Sequence, residues 1–293
     1  MNCGFVAIIG RPNVGKSTLM NHLIKQKISI TSRKPQTTRH RILGINTTPE
    51  GQVIYLDTPG MHNNQARALN RHLNRTADSS LLGVNLVLWL LDGLYWHEYD
   101  AMIFKKLEQA GLPVILAVNK IDKVKDKTEL LAFFADAQAR FPFQHIVPIS
   151  ALKGTHLPEL ENLVLPLLPE GELIYPEDQI TDRPERFLAA EIIREKLTRR
   201  LGDELPYELT VEIERYQELP NITKIYAIIW VARPGQKIIV VGKDGEMLKK
   251  VGTDARLDIE KLIDRKVYLQ LWVKVKKGWS DNERALQSLG FND

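Results

Sequence analysis

Three short groups of residues have the types and spacing to handle a nucleotide. Gly10-Arg11-Pro12-Asn13-Val14-Gly15-Lys16-Ser17, followed by Thr18, fits G-x-x-x-x-G-K-[ST]. In that pattern the glycines let backbone N–H groups wrap phosphate, the lysine (Lys16) reaches the β- and γ-phosphates, and the hydroxyl (Ser17) ligates Mg²⁺. Asp57-Thr58-Pro59-Gly60 supplies a carboxylate that can hold Mg²⁺ and a glycine N–H, that of Gly60, that can meet a γ-phosphate. Asn119-Lys120-Ile121-Asp122 suits base recognition. Asp122 can accept two hydrogen bonds from the ring N–H and amine of guanine. Adenine offers neither and would leave the carboxylate unpaired. Asn119 and Ser150-Ala151-Leu152 would frame the same base, with Lys120 along its face.

These groups need strand ends and loops to carry them, and the pattern provides both. Phe5–Ile9 is a continuous apolar run, as in a buried parallel strand, and helical spacing follows from Ser17 to Ile24. The loop between them therefore lies at a helix N-terminus, where N–H groups and the helix dipole favour an anion. Residues 28–40 are polar, basic and broken by Pro35, an exposed loop that brings Thr37 and Thr38 near the phosphate loop. Arg41–Ile45 and Val53–Leu56 read as a hairpin. Further strands are expected at Asn85–Leu91, Pro113–Val118 and His145–Ile149, with helices at 98–110, 127–140 and 157–168. Alternating strands and helices argue for an α/β fold with a doubly wound, mostly parallel sheet, in which ligands bind at the carboxyl ends of strands.

Pro166 to Pro184 is rich in proline and acid and reads as a boundary. The expected division is 1–170, a linker at 171–184, and a smaller α+β domain at 185–293. The second domain opens with a helix at 184–201, its apolar stripe on Ile193, Leu197 and Leu201 and its polar face on Glu191, Arg194, Glu195 and Thr198. Strands are expected at Leu209–Glu214, Ile225–Val231 and Val267–Lys276. Between the last two lies Gly242-Lys243-Asp244-Gly245, followed by an amphipathic helix carrying Lys249 and Lys250. A G-x-x-G loop in such a frame can clamp a nucleic-acid backbone. Composition makes Ile238–Val241 a strand, whereas a nucleic-acid-binding loop of this kind calls for a helical turn before it. Lys274, Lys276, Lys277 and Trp279 form a basic stretch with interleaved aromatics suited to single-stranded RNA.

At 293 residues and net charge +4, with 44% hydrophobic and 26% charged residues, the chain has the make-up of a soluble protein of about two domains. Cys3 is the only cysteine, which excludes an intrachain disulfide and a cysteine metal cage. The apolar run at Val84–Leu91 is too short to span a bilayer, and the early first strand leaves no room for a signal peptide. A cytoplasmic location is expected.

Taken in order, Gly10–Ser17, Thr37/Thr38, Asp57–Gly60, Asn119–Asp122 and Ser150–Leu152 resemble the five signatures of a translation-factor-class GTPase. Asn13 and Gln36-Thr37-Thr38-Arg39-His40 narrow this to the group containing Era, Der and MnmE. The V-[IV]-G-x-x-G-x-x-[IL]-K-x-[IV] pattern at 240–251 is similar to a bacterial-type (type II) KH domain. One GTPase domain followed by one KH domain resembles the Era family, with Trp272-Val273-Lys274-Val275-Lys276-Lys277-Gly278-Trp279 close to that family's text. The resemblance implies a Mg²⁺-dependent GTPase with GTP or GDP as ligand. Ser17, Thr38 and Asp57 would hold the metal, and Lys16, Thr38, Gly60 and Asn13 would serve catalysis. Met61 stands where Ras-like enzymes place a water-orienting glutamine, and in cation-dependent relatives the residue matching Asn13 helps hold K⁺. It also implies binding of the small-subunit ribosomal RNA 3′ end, action in 30S assembly, a monomer, and peripheral contact with the inner membrane. Two other readings stay open: an RNA switch that hardly turns over GTP, and a membrane-associated regulatory GTPase whose KH-like unit docks protein.

Overall fold

The protein is seen in a computed structural model, which describes the chain apart from residues 33, 35, 36, 60–67, 80, 127, 203, 204 and 290–293. Its described residues form two compact units. One holds Met1–Ser29, 38–59 and Leu73–Asp182; the other holds 30–37, 68–72 and the chain from Arg183.

The first unit is built on a six-stranded sheet. Its elements are β1 (Asn2–Ile9), α1 (Lys16–Leu23), β2 (Ile42–Thr48), β3 (Gly51–Asp57), α2 (Ala68–Ser79, which begins in the second unit), β4 (Leu86–Asp92), α3 (Glu98–Ala110), β5 (Val114–Asn119), α4 (Thr128–Arg140), β6 (His145–Pro148) and α5 (Leu157–Val164). The sheet order is β2-β3-β1-β4-β5-β6. All neighbours are parallel except the β2–β3 hairpin. The centre of the sheet is apolar on both faces: Val87, Leu88, Trp89, Leu90 and Leu91 are all 0% exposed. Each such side chain contributes about 1.5–3 kcal/mol on burial. The order reverses at β1, which pairs with β3 on one side and β4 on the other, and a ligand crevice is expected there. The expected strands are found; α2 lay outside the sequence reading.

The segment read as a linker is bonded to this sheet. Cys3 N–H donates to Pro169 O at 2.9 Å and Gly171 N–H to Met1 O at 2.8 Å. Gln52, fully buried, accepts from the N–H groups of Ile174 and Tyr175 at 3.0 and 2.9 Å. Ile45 N–H donates to Ile180 O at 2.9 Å, and Leu43 N–H to Asp182 Oδ1 at 3.1 Å. Residues 180–182 thus pair along the open side of β2, where an edge strand leaves backbone groups free, and 169–175 bond to β1 and β3.

The second unit runs α6 (Glu185–Arg200), β7 (Leu209–Leu219), β8 (Ile222–Val231), α7 (Pro234–Val241), α8 (Glu246–Ile263), β9 (Val267–Val275) and α9 (Glu283–Ser288). Its sheet, β7-β8-β9, is antiparallel then parallel. Ala189, Ile193 and Leu197 of α6 and Val251, Ala255 and Ile259 of α8 bury against Ile225, Ala227 and Ile229 of β8. Residues 234–241 are a helix, although four β-branched residues occupy 238–241. Pro234 at its first turn presets the backbone, and Gly242 (φ +74°) ends it. The polar face of α6 is also buried: Glu191, Arg194, Glu195 and Thr198 are 6, 2, 0 and 2% exposed.

Candidate nucleotide and RNA sites

The phosphate loop follows β1, and its backbone depends on residues able to adopt positive φ: Gly10 (+145°), Asn13 (+63°) and Gly15 (+109°). A Cβ at Gly15 would lie 2.4 Å from Asn119 Nδ2. Gly15 caps α1 with no side-chain hydrogen bond to the helix start, so the orphan N–H groups there are available to an anion. Lys16 is buried, its Nζ donating to Gly10 O and Arg11 O at 3.0 Å each. Burial lowers its pKa to about 8, against the opposing pull of Asp57. Arg11 Nε lies 3.3 Å from Asp100 Oδ1, which ties the loop to α3. Pro12 and Val14 lie within the loop, and Thr18 follows in α1.

At the end of β3, Asp57 is fully buried, and desolvation raises its pKa despite Lys16 and three hydroxyl donors. Its Oδ2 accepts from Ser17 Oγ at 2.7 Å, Ser29 Oγ at 2.7 Å and Thr38 Oγ1 at 3.4 Å, while Ser17 Oγ and Thr38 Oγ1 are 2.8 Å apart. Asp57 Oδ1 is buried with no hydrogen-bond partner. An unpaired carboxylate oxygen among hydroxyls is a fitting ligand set for a hard cation such as Mg²⁺. Thr58 donates to Ile8 O at 3.2 Å and Pro59 follows; Gly60, Met61 and Gln36 lie outside the described residues. Ser29 was missed by the sequence reading. It is placed by Asn21, whose Oδ1 accepts from Ile28 and Ser29 N–H at 3.0 and 2.9 Å.

The base-reading residues gather beside this loop. Asn119, 2% exposed, donates to Val14 O at 2.6 Å and accepts from Ala151 N–H at 2.9 Å. Lys120 (φ +66°) reaches Asn13 O at 2.9 Å and Asp92 Oδ2 at 2.5 Å. Asp122 is exposed and accepts from Ser150 Oγ at 2.6 Å, the main cause of its lowered pKa. Leu152, 73% exposed, has no core role. The structure thus links the first, third, fourth and fifth groups and Thr38 by hydrogen bonds at the carboxyl ends of the strands. Asp92 is a further residue that no motif spacing flagged.

In the second unit, Gly242, Asp244 and Gly245 have φ of +74°, +51° and +77°, a sharp turn leading to the start of α8, which no side chain caps. Lys243, Asp244, Lys249 and Lys250 are exposed, as are Lys274 and Lys277; Lys276 is half-buried. Ile238 and Ile239, which the sequence left between a strand and a helical turn, lie in α7 and stand 72 and 54% exposed beside the turn. Trp279 corrects the sequence reading. It is fully buried, with Nε1 donating to Glu208 O at 3.1 Å, so its ring holds the fold together and cannot stack on a base. The exposed tryptophan of that stretch is Trp272.

Comparison with known proteins finds matches to both units. Residues 5–120 match the family model described as 50S ribosome-binding GTPase, and residues 204–280 match that of the KH domain. The GTPase Era of Ectopseudomonas mendocina is 55% identical over 99% of this chain and 97% of its own length. That of Pseudomonas aeruginosa is 54% identical over 99 and 95%. A crystal structure of an Aquifex aeolicus Era variant bound to GDP and AlF4⁻ matches all of both chains with TM-score 0.97 at 40% identity. A structure of Era with MgGDPNP and nucleotides 1506–1542 of 16S ribosomal RNA matches with TM-score 0.96 at 40% identity. With the phosphate loop and the Asn119–Asp122 group joined in one unit, a G-x-x-G turn in the other, and likeness at this level over the full length, the chain belongs to the Era family of GTPases.

Proposed function

We propose that this GTPase binds the 3′ end of small-subunit (16S) ribosomal RNA through its KH unit, more tightly with GTP than with GDP bound, and acts in assembly of the 30S subunit. The observation that carries the reading is the Gly242–Gly245 turn. It puts an uncapped helix start, two exposed isoleucines and the exposed Lys243, Lys249 and Lys250 side by side. That combination offers phosphate, base and backbone something each can bind. The Era structure with a 16S fragment, at 40% identity, supports the choice of RNA. Lys274, Lys276 and Lys277 extend the basic surface.

In the crevice, Ser17, Thr38 and Asp57 would hold Mg²⁺. When bound, the ion offsets charge on the β- and γ-phosphate oxygens. Lys16 and the N–H groups at the start of α1 stabilise negative charge there, and Asp122 with Asn119 fixes the guanine. Asn13 would help hold K⁺, a role implied by family likeness and by the absence of a glutamine at Met61. The proposed protein is a cytoplasmic monomer with peripheral contact at the inner membrane. Among the described residues, no helix is long and apolar enough to cross a membrane.

Crosslinking in cells followed by sequencing of the bound RNA tests the assignment. Reads should concentrate at the small-subunit 3′ end. Reads spread evenly over ribosomal RNA, or none above background, would contradict it and favour a protein-docking role for the KH unit.

A further inference from the structure

Helix α1 reaches the carboxylate of Asp57 twice, the second time through a residue that no motif contains. Ser17 and Asn21 stand four positions apart, so both project from one face of α1. Ser17 Oγ donates to Asp57 Oδ2 at 2.7 Å. Asn21 holds the chain that leaves the helix. Its Oδ1 accepts from the N–H groups of Ile28 and Ser29 at 3.0 and 2.9 Å, and its Nδ2 donates to Ser29 O at 2.7 Å. Ser29 is therefore bonded through both of its backbone groups to one side chain, and it is 1% exposed. Its hydroxyl donates to the same Asp57 Oδ2 at 2.7 Å, as short as the bond from Ser17 and well inside that from Thr38 at 3.4 Å. All of these residues belong to the GTPase unit.

We infer that Ser29 is a positioning residue for the Mg²⁺ site, acting through Asp57. Two hydroxyls at 2.7 Å, one on the helix and one on the chain after it, pin Oδ2 from two separate points of the chain. A carboxylate so held cannot turn about its Cβ–Cγ bond without breaking both bonds. Oδ1, buried with no hydrogen-bond partner, stays the oxygen left to serve the ion. Ser17 and Thr38 would offer their own oxygens to the metal, so Ser29 is the donor to Asp57 that is not itself read as a ligand. Groups that hydrogen-bond a metal-ligating carboxylate set its orientation, and their loss costs about 10- to 100-fold in metal affinity. The inference rests on Ser17, Thr38 and Asp57 as the metal's ligands, so the test separates the two.

The experiment measures how release of a fluorescent GDP analogue depends on free Mg²⁺ in metal-buffered solution. It uses the full chain as wild type, Ser29→Ala, Asn21→Ala, the two together, and Asp57→Asn. GDP affinity in excess EDTA is measured beside it. Ser29→Ala should raise the Mg²⁺ concentration that half-suppresses release about 10- to 100-fold. Its GDP affinity in EDTA should stay within about twofold of wild type, because the phosphate-loop and base contacts are untouched. General damage to the fold would lower both. Asn21→Ala should shift the Mg²⁺ requirement in the same direction, and the double variant no further than Ser29→Ala alone, since both act through one hydroxyl. An unchanged Mg²⁺ requirement in Ser29→Ala, a loss of GDP affinity in EDTA as large as that in Mg²⁺, or additive shifts in the double variant would overturn the inference. Asp57→Asn with the wild-type requirement would overturn the metal-ligand reading itself. A shift there without one in Ser29→Ala would overturn only the role of Ser29. If Ser29→Ala shows no melting transition, Ser29→Cys, which weakens the donor at similar size, is taken through the same titrations with the same expected and contrary results.

Discussion

Asn119→Ala should damage the nucleotide site more than any motif residue outside the phosphate loop. Asn119 joins two loops: its Nδ2 donates to Val14 O at 2.6 Å, and its Oδ1 accepts from Ala151 N–H at 2.9 Å. Val14 and Ala151 are each 1% exposed, so water cannot replace the lost partners without rearrangement. Leaving one buried polar group unmatched costs about 1–3 kcal/mol, so the two together give about 2–6 kcal/mol. This cost is shared between folding of the GTPase unit and nucleotide affinity, because the same bonds shape the crevice in both. GDP affinity should fall at least about 30-fold if about 2 kcal/mol is expressed in binding. Calorimetric titration of GDP, alongside thermal melting with and without GDP, reads both shares. Affinity within about threefold of wild type, with an unchanged melting temperature, would refute a crevice held in shape by Asn119.

Asp122→Asn should turn preference from GTP toward XTP, since the amide N–H can donate to the C2 oxygen that xanthine carries in place of guanine's amine, while the amide oxygen still accepts from the ring N–H; competition binding with GTP, XTP and ATP checks this. The Ser150 hydroxyl holds Asp122 below its ordinary 3.8, so its carboxylate contribution is complete above that value and is lost only as pH falls through the lowered pKa. GTP affinity should therefore stay flat from about pH 7 to about pH 5 as far as this group is concerned, and Ser150→Ala should move the acid limb upward in pH. Gly242→Ala places a Cβ 2.7 Å from Met247 Cβ at φ +74°, so RNA binding should drop at least about tenfold with GDP affinity unchanged; filter binding and a GDP titration read the two.

The phosphate loop, the base-reading group and the parallel sheet were legible because their signals are local: an apolar run, a fixed glycine spacing, an acid at a strand end. Asn119, Asp122 and Ser150 meet in space because β5 and β6 are neighbours, which strand-helix alternation implies. What escaped depends on distant partners. Ser29 reaches Asp57 only because Asn21 turns the chain after α1. Residues 169–182 have the composition of a free linker, yet their backbone groups find partners on the open side of β2 and on Gln52. Glu191 and Arg194 look like a solvated helix face, yet both are buried, and Arg194 donates to Glu191 and to the carbonyl of Thr37. Residues 238–241 carry strand-forming side chains in a helix set by Pro234 and Gly242. Trp279 shared its stretch with lysines, but sequence spacing alone could not say that its ring turns inward.

The most direct test of a nucleotide-controlled RNA-binding GTPase is a titration of labelled RNA carrying the small-subunit 3′ end, once with a non-hydrolysable GTP analogue and once with GDP. Coupling between two sites is typically about 1–3 kcal/mol, so affinity should be about 5- to 150-fold tighter with the analogue. In each state, log affinity should fall with log salt at a slope near −0.7 for each phosphate contacted. Identical affinities in the two nucleotide states would contradict the account, and no binding in either would remove RNA from it.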